Sequence, residues 1–208
     1  MIRLSYSTVN NCLQPENSHN WLNKMMGLVP EERLEWNEGK EGHKVVQLHL
    51  CGKKTDKRLS HIKYSFPIVE EKDFDERCKF EFQINNYQFI GYYDGLNRKD
   101  KRVVEIKLSS NPWSLMQFQN LIQRKIFSLA NVWKETICIT GYRDMKLWKD
   151  NPLKYFTVPT TKKDEQDAAN WILSGIEVLE SGNFKGGLNE FGKCTDPRCY
   201  FGTNCNFK

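Results

Sequence analysis

At 208 residues, 39% hydrophobic and 27% charged, the chain has the size and balance of one globular domain with a real core. The net charge of +5 names no partner by itself, no run approaches the roughly 18 apolar residues of a membrane span, and the start MIRLSYSTVNN lacks the apolar stretch of a secretory signal. A cytoplasmic protein without a membrane partner is expected, and in that reducing compartment seven cysteines, an odd number, argue against disulfides and for metal ligation or plain burial.

In chain order, residues 5–28 read as one or two short helices, with Ser5 or Ser7 as N-cap. Residues 31–50 have helical spacing anchored by Leu34, Val45, Val46 and Leu48, and 53–60 form a polar loop. Basic residues cluster at Lys53, Lys54, Lys57 and Arg58 and again at Arg98, Lys99, Lys101 and Arg102; each cluster either faces phosphates or is solvated surface. Residues 79–84 alternate strictly, as a half-buried strand does, and Asn85-Asn86 marks a turn. Two more strands are predicted at 87–94 and 102–108, completing a three-strand meander. Residues 113–133 contain no Gly or Pro and read as one long helix. Residues 136–142 and 155–158 are β-rich, and 164–179 is helical with Trp171, Ile172, Ile176 and Leu179 on one face. The tail is irregular and rich in Gly and Cys. The order implies an α/β domain with a mixed central sheet flanked by helices: a helical part over 1–60, a core over 61–180 and a Cys-rich tail over 181–208.

The most informative segment is 89–109, FIGYYDGLNRKDKRVVEIKLS. Alternation puts Glu105 and Lys107 on one strand face and apolar Val104 and Ile106 on the other. If 98–101 form the loop, Asn97 pairs with Arg102, and the same register sets Asp94 opposite Glu105. Such cross-strand neighbours lie about 5 Å apart at Cβ, close enough to share one cation. Gly91 leaves room for a backbone or ligand to approach. Two carboxylates forced together need a hard cation such as Mg²⁺ or Mn²⁺, and a lysine beside it can orient water or stabilise charge on an attacked phosphodiester. The alternative is an exposed hairpin carrying a Lys–Glu ladder.

The pattern G-x-x-D followed by E-x-K resembles the PD-(D/E)XK nucleases, and within them the RecB-like branch with its CRISPR-adaptation and phage exonucleases. The helix with Gly39-Lys-Glu-Gly-His43 is similar to that branch's G-x-x-x-H signature; without the resemblance His43, like His49 and His61, is a packed or surface residue. The resemblance implies a restriction-endonuclease-like core in which Asp94, Glu105, His43 and the carbonyl of Ile106 hold Mg²⁺ or Mn²⁺ while Lys107 positions the nucleophile. It also implies a glutamine on the following helix. Relatives read Q-x-x-x-Y there, whereas here Gln119 is followed by Gln123 and Gln123 by Phe127, and distance from Lys107 favours Gln119 with Gln123 second. Glu81, on the preceding strand, is given a structural role.

Cys194, Cys199 and Cys205 are separated by four and five residues, which suits a cluster more than a zinc knuckle, and Cys12 is the candidate fourth thiol. In iron–sulfur members of the nuclease group one N-terminal and three C-terminal cysteines hold a 4Fe-4S cluster that joins the chain ends. Zinc on the same residues, or free thiols, are the alternatives. Cys51, Cys78 and Cys138 are expected as buried small apolar residues. Tyr92, Tyr93, Trp113, Phe118, Tyr200 and Phe201 either stack on splayed bases or pack in the core.

The expected function is therefore a metal-dependent DNA nuclease, an exonuclease on ends or single strands, acting in repair, recombination, phage DNA metabolism or CRISPR adaptation with proteins of those processes. The alternative from another class is a non-catalytic nucleic-acid-binding module stabilised by an iron–sulfur or zinc site. An enzyme acting on a small phosphate substrate would need a Gly-rich phosphate loop, which is missing. Polarity, strand preference and oligomeric state leave no mark on the sequence.

Overall fold

The structure, a computed structural model, describes residues 2–13, 23, 26–28, 34–62, 78–182, 193, 194 and 205. It is an α/β fold with mixed sheets flanked by helices. By contact the chain divides into two units, Met1–Arg33 with Gln83–Ile90 and Ala169–Lys208, and Leu34–Phe82 with Gly91–Ala168. Among the described residues no helix is long and apolar enough to cross a membrane.

In the first unit, β1 (Ile2–Leu4) pairs in parallel with β3 (Tyr87–Tyr92), setting Ile2 beside Tyr87 and Leu4 beside Phe89. The three-stranded sheet has the order β1-β3-β2; β2 (Lys79–Ile84), which belongs to the second unit as far as Phe82, is joined to β3 by the predicted Asn85-Asn86 turn with Asn85 at φ 51°. Helix α1 (Tyr6–Leu13) starts at Ser5, whose hydroxyl accepts the Thr8 N–H at 3.3 Å, as expected of an N-cap. It lies against the end of the long C-terminal helix, Lys162–Ser181. A Cβ on Gly175 would meet Val9 Cγ1 at 2.3 Å, so the glycine is what lets the two helices approach, and Tyr6 stacks on Trp171 beside the contact.

The second unit is built on the sheet β4-β5-β6-β7: β4 (Gly95–Asn97), β5 (Arg102–Ser109), β6 (Glu135–Tyr142) and β7 (Lys154–Pro159). β4 runs antiparallel to β5 with Asn97 opposite Arg102, the expected register, while β5 and β6 are parallel and β7 returns antiparallel. The expected meander is thus divided between two sheets. β3 ends at Tyr92; Tyr93, buried against Phe80, Phe127 and Trp133, still donates its N–H to the Cys78 carbonyl across the β2–β3 hairpin before the chain passes to β4.

Central β5 is covered on both faces, which accounts for its buried run from Val103 to Ile106. Helix α2 (Leu34–Leu50) lies on the Val104-Ile106-Leu108 face; a Cβ on Gly42 would come 2.5 Å from Leu108 Cδ1, so this glycine sets the approach, while Gly39 of the expected signature has open space around it. On the opposite face Phe118 and Leu121 pack on Cys138 of β6 and Val158 of β7.

The long helix expected over 113–133 is broken. It forms α3 (Leu115–Asn120), with a Ser114–Gln117 capping box, and α4 (Ile122–Ala130), separated by Leu121 at φ −65°, ψ 111°. A buried guanidinium explains the break: Arg124 Nε donates to the Phe118 carbonyl at 3.1 Å and Nη2 to the Gln119 carbonyl at 3.0 Å. Propensity carries no signal for such tertiary bonds. Arg58, read as facing either phosphates or solvent, is tied down within the fold. It pairs with Asp56, donates to the Met145 carbonyl at 2.8 Å and sits over the Trp148 ring, whereas Arg98, Lys99 and Lys101 stand exposed on the β4–β5 turn.

Gly91 makes room for a ring of the core and not for a ligand. A Cβ there would lie 2.3–2.9 Å from three atoms of the Phe80 ring, which is itself held by Tyr93 and Phe127. Gly91→Ala is expected to cost about 1–3 kcal/mol of stability through overpacking, read as a lower urea midpoint, and Phe80→Leu in the same chain to recover part of it.

Candidate active site

Every residue brought together here lies in the second unit. β4 ends its pairing at Gly95 opposite Val104, so on that side β5 runs on without a partner strand among the described residues. Asp94 fills the gap: its Oδ2 accepts the Ile106 N–H at 2.7 Å, fixing the carboxylate at the strand edge. Its Oδ1 faces His43 of α2, 3.7 Å from Nδ1. One helical turn on, Gln47 donates to the Asp94 carbonyl at 3.0 Å. Sequence reasoning missed Gln47, although its spacing of four from His43 puts it on the same helical face.

Glu105 points to the α4 side of the sheet and is 1% exposed, which rules out the exposed Lys–Glu ladder. The Lys107 ammonium forms an ion pair with Glu105 Oε1, and apart from it neither carboxylate oxygen receives a donor among the described residues. An unsatisfied buried carboxylate is expensive, so these two oxygens are the outstanding polar anomaly of the unit. Burial pushes the Glu105 carboxyl up to about 7, with Asp94 adding to the rise and Lys107 and His43 opposing it. Lys107 in turn donates to Gln123 Oε1 at 2.9 Å. The structure therefore brings Gln123 to the lysine and leaves Gln119, the favoured candidate, exposed on the surface. The helix break is the reason, since it changes which side chains of α4 face the sheet.

Three other readings concern the surroundings. Glu81 forms an ion pair with Lys79, in keeping with a structural role, and His49 and His61 bond the Asp56 N–H and the Leu153 carbonyl away from the site. Trp113 packs on Phe118 while its N–H is bound by Thr140, so it belongs to the wall under α3. Cys78 and Cys138 are buried as expected, the Cys138 thiol pushed up to about 12 chiefly by burial, with Glu105 adding to the rise.

Two carboxylates, an imidazole and a strand carbonyl would form a hard, oxygen-dominated donor set, and the Glu105 carboxylate, met only by Lys107 among the described residues, is what such a cation would further satisfy. The set is not a preassembled cage, since among the described residues no three His, Cys, Asp or Glu side chains converge as a metal-holding group. In the first unit Cys194 packs against buried Cys205, whose sulfur accepts from Asn23 Nδ2 at 3.2 Å. Cys12 is buried, its thiol pushed up to about 11 by burial, and Cys199, with Tyr200 and Phe201, lies outside the described residues.

The chain matches no protein-family profile and no curated protein. It is similar to a solved structure described as the crystal structure of SSO0001, at 14% identity and a TM-score of 0.53, over 89% of this chain and 80% of that one. At that identity the likeness speaks for fold alone.

The Glu105 carboxyl gives a direct test. A carboxyl raised by folding contributes its full stability below its ordinary value of 4.5 and loses it as pH rises through about 7. In EDTA, the unfolding free energy of the wild type should fall between pH 4.5 and 8 relative to Glu105→Gln, by up to about 1.4 kcal/mol per unit of pKa rise. Urea unfolding at several pH values measures this, and a gap that stays constant with pH would mean that the carboxyl titrates normally.

Proposed function

We propose that the chain is a metal-dependent DNA nuclease of the PD-(D/E)XK kind. The observation that carries this reading is the fully buried Glu105, whose carboxylate meets only the Lys107 ammonium among the described residues, beside an aspartate held at the strand edge. Fold maintenance gives no reason to bury an acid in this way, whereas cation binding does.

Asp94, Glu105, His43 and the Ile106 carbonyl would hold one or two Mg²⁺ or Mn²⁺ ions. Bound there, the ion supplies Lewis acidity toward water and a phosphodiester. Asp94 is oriented for this by the Ile106 N–H and Gln47, so its second oxygen stays directed toward His43. Lys107 offers an ammonium that can bind a non-bridging phosphate oxygen and stabilise the charge that builds there, while Gln123 holds the ammonium in place. None of these groups reads a base, so cleavage should show little sequence preference and binding should weaken with salt. The exposed Arg98, Lys99 and Lys101 turn supplies cations for the strand.

The test is degradation of end-labelled linear and circular single-stranded DNA with Mn²⁺, with EDTA and with Glu105→Ala. Metal-dependent loss of the linear form, at least a hundredfold slower in the variant, is expected, with the circle surviving if the enzyme works from ends. Wild type and variant that bind DNA and are equally inert would establish the binding-module reading in its place.

We also assign Cys12, Cys194, Cys199 and Cys205 to a 4Fe-4S cluster, supported by the Cys194–Cys205 contact and the amide directed at the Cys205 sulfur. Elemental analysis of anaerobically purified protein should find about four irons per chain, most of them lost in Cys194→Ala. One zinc per chain and no iron would replace the cluster with a zinc site.

A further inference from the structure

We propose that the buried pair Arg124–Asp164 is a positioning device for Lys107, holding the helix broken at Leu121 so that Gln123 meets the lysine. In a continuous helix the carbonyls of Phe118 and Gln119 would accept the N–H groups of Ile122 and Gln123. Here the Arg124 guanidinium bonds both carbonyls, the Phe118 one being shared with the Leu121 N–H at 3.2 Å, and the amides of Ile122 and Gln123 fall in the first turn of a new helix, where no helical acceptor exists. The guanidinium is locked from its other side by Asp164, with Nη2 donating to Oδ1 at 2.7 Å and Nη1 to Oδ2 at 3.3 Å. Asp164 is fixed in turn by the N–H and hydroxyl of Thr161, at 2.9 and 3.0 Å, as the third residue of the next helix.

Arg124 is 3% exposed and Asp164 5%. Burial works against the Asp164 charge, but the bonds from Arg124 and Thr161 outweigh it and hold the carboxyl below its ordinary value. An ion pair this deep is a poor way to gain stability, because two apolar residues would serve as well or better. What apolar residues cannot do is occupy two helix carbonyls at once. Gln123 is the neighbour of Arg124 in sequence, so the residue that breaks the helix also fixes the direction of the one that holds Lys107.

The proposal concerns geometry; only its kinetic arm rests on the nuclease reading. Hydrogen exchange of full-length Arg124→Met, resolved to single amides, is the primary test. Freed of the guanidinium, the Phe118 and Gln119 carbonyls should capture the Ile122 and Gln123 amides, which then exchange at least tenfold more slowly than in the wild type. A merely structural Arg124 predicts the opposite sign, with faster exchange at these amides and across α3 and α4, and that result overturns the proposal. Asp164→Asn keeps the shape and most of the bonds, and should slow the same two amides by a smaller factor. If Arg124→Met does not fold, unchanged or faster exchange in Asp164→Asn overturns the proposal by itself.

On linear single-stranded DNA with Mn²⁺, Arg124→Met should lower kcat about as much as Gln123→Ala, with KM within twofold, and the double variant should be no worse than either. Additive losses count against the proposal. Slower exchange in a chain whose wild type cleaves no DNA would uphold the positioning and defeat the nuclease reading.

Discussion

A negative charge cut off from water is the constraint around which the second unit is arranged. Glu105 sits in the middle of β5, between a parallel neighbour and a covering helix, where a carboxylate has no solvent and, among the described residues, only the Lys107 ammonium. The surrounding groups can be understood as responses to that charge. Lys107 is placed two residues along the same strand face, Gln123 steadies it, and Asp94 is drawn by the Ile106 N–H to the neighbouring edge. Replacing Glu105 and Lys107 by apolar residues would suit the sheet better, so the arrangement is one that selection for stability alone would remove.

The same reasoning extends one layer outward. Arg124 and Asp164 repeat the costly choice of burying opposite charges, and again the result is directional: two short helices in place of one. The unit thus contains two buried ionic groups of different kinds. Glu105 is left incompletely satisfied, while Arg124 and Asp164 have carbonyl, hydroxyl and amide partners all round. A fully satisfied pair suits scaffolding, and an unsatisfied one suits the binding of something else.

Much of this was legible in the sequence. Strict alternation over 79–84 and the apolar run of β5 located the strands, and loop chemistry at 98–101 fixed the register that pairs Asn97 with Arg102. Asp94, Glu105 and Lys107 could be placed together because a register leaves little freedom once one pair is known. The losses were tertiary. Nothing local shows that Tyr93 turns into an aromatic core and divides the meander, or that Arg124 intercepts two carbonyls and breaks a helix with good propensity. That second effect moved the glutamine from 119 to 123. The room expected at Gly91 is filled by the Phe80 ring, and Gly39 of the G-x-x-x-H pattern stands in open space, whereas the close approach of α2 is set by Gly42.

The two ends of the four-stranded sheet bear on how the protein behaves at high concentration. β4 is three residues long and leads into a turn with three exposed cations, while β7 begins at Lys154 and closes on Pro159, which has no N–H to donate. Past Asp94 the last residues of β5 have no partner strand on the β4 side among the described residues, but neither β4 nor β7 offers a long, flat, uncharged row of backbone donors onto which another chain could add a strand. The sheet that carries the buried acid is thereby protected from growing into intermolecular aggregates, even though its two central strands are apolar enough to drive such growth if they were laid open.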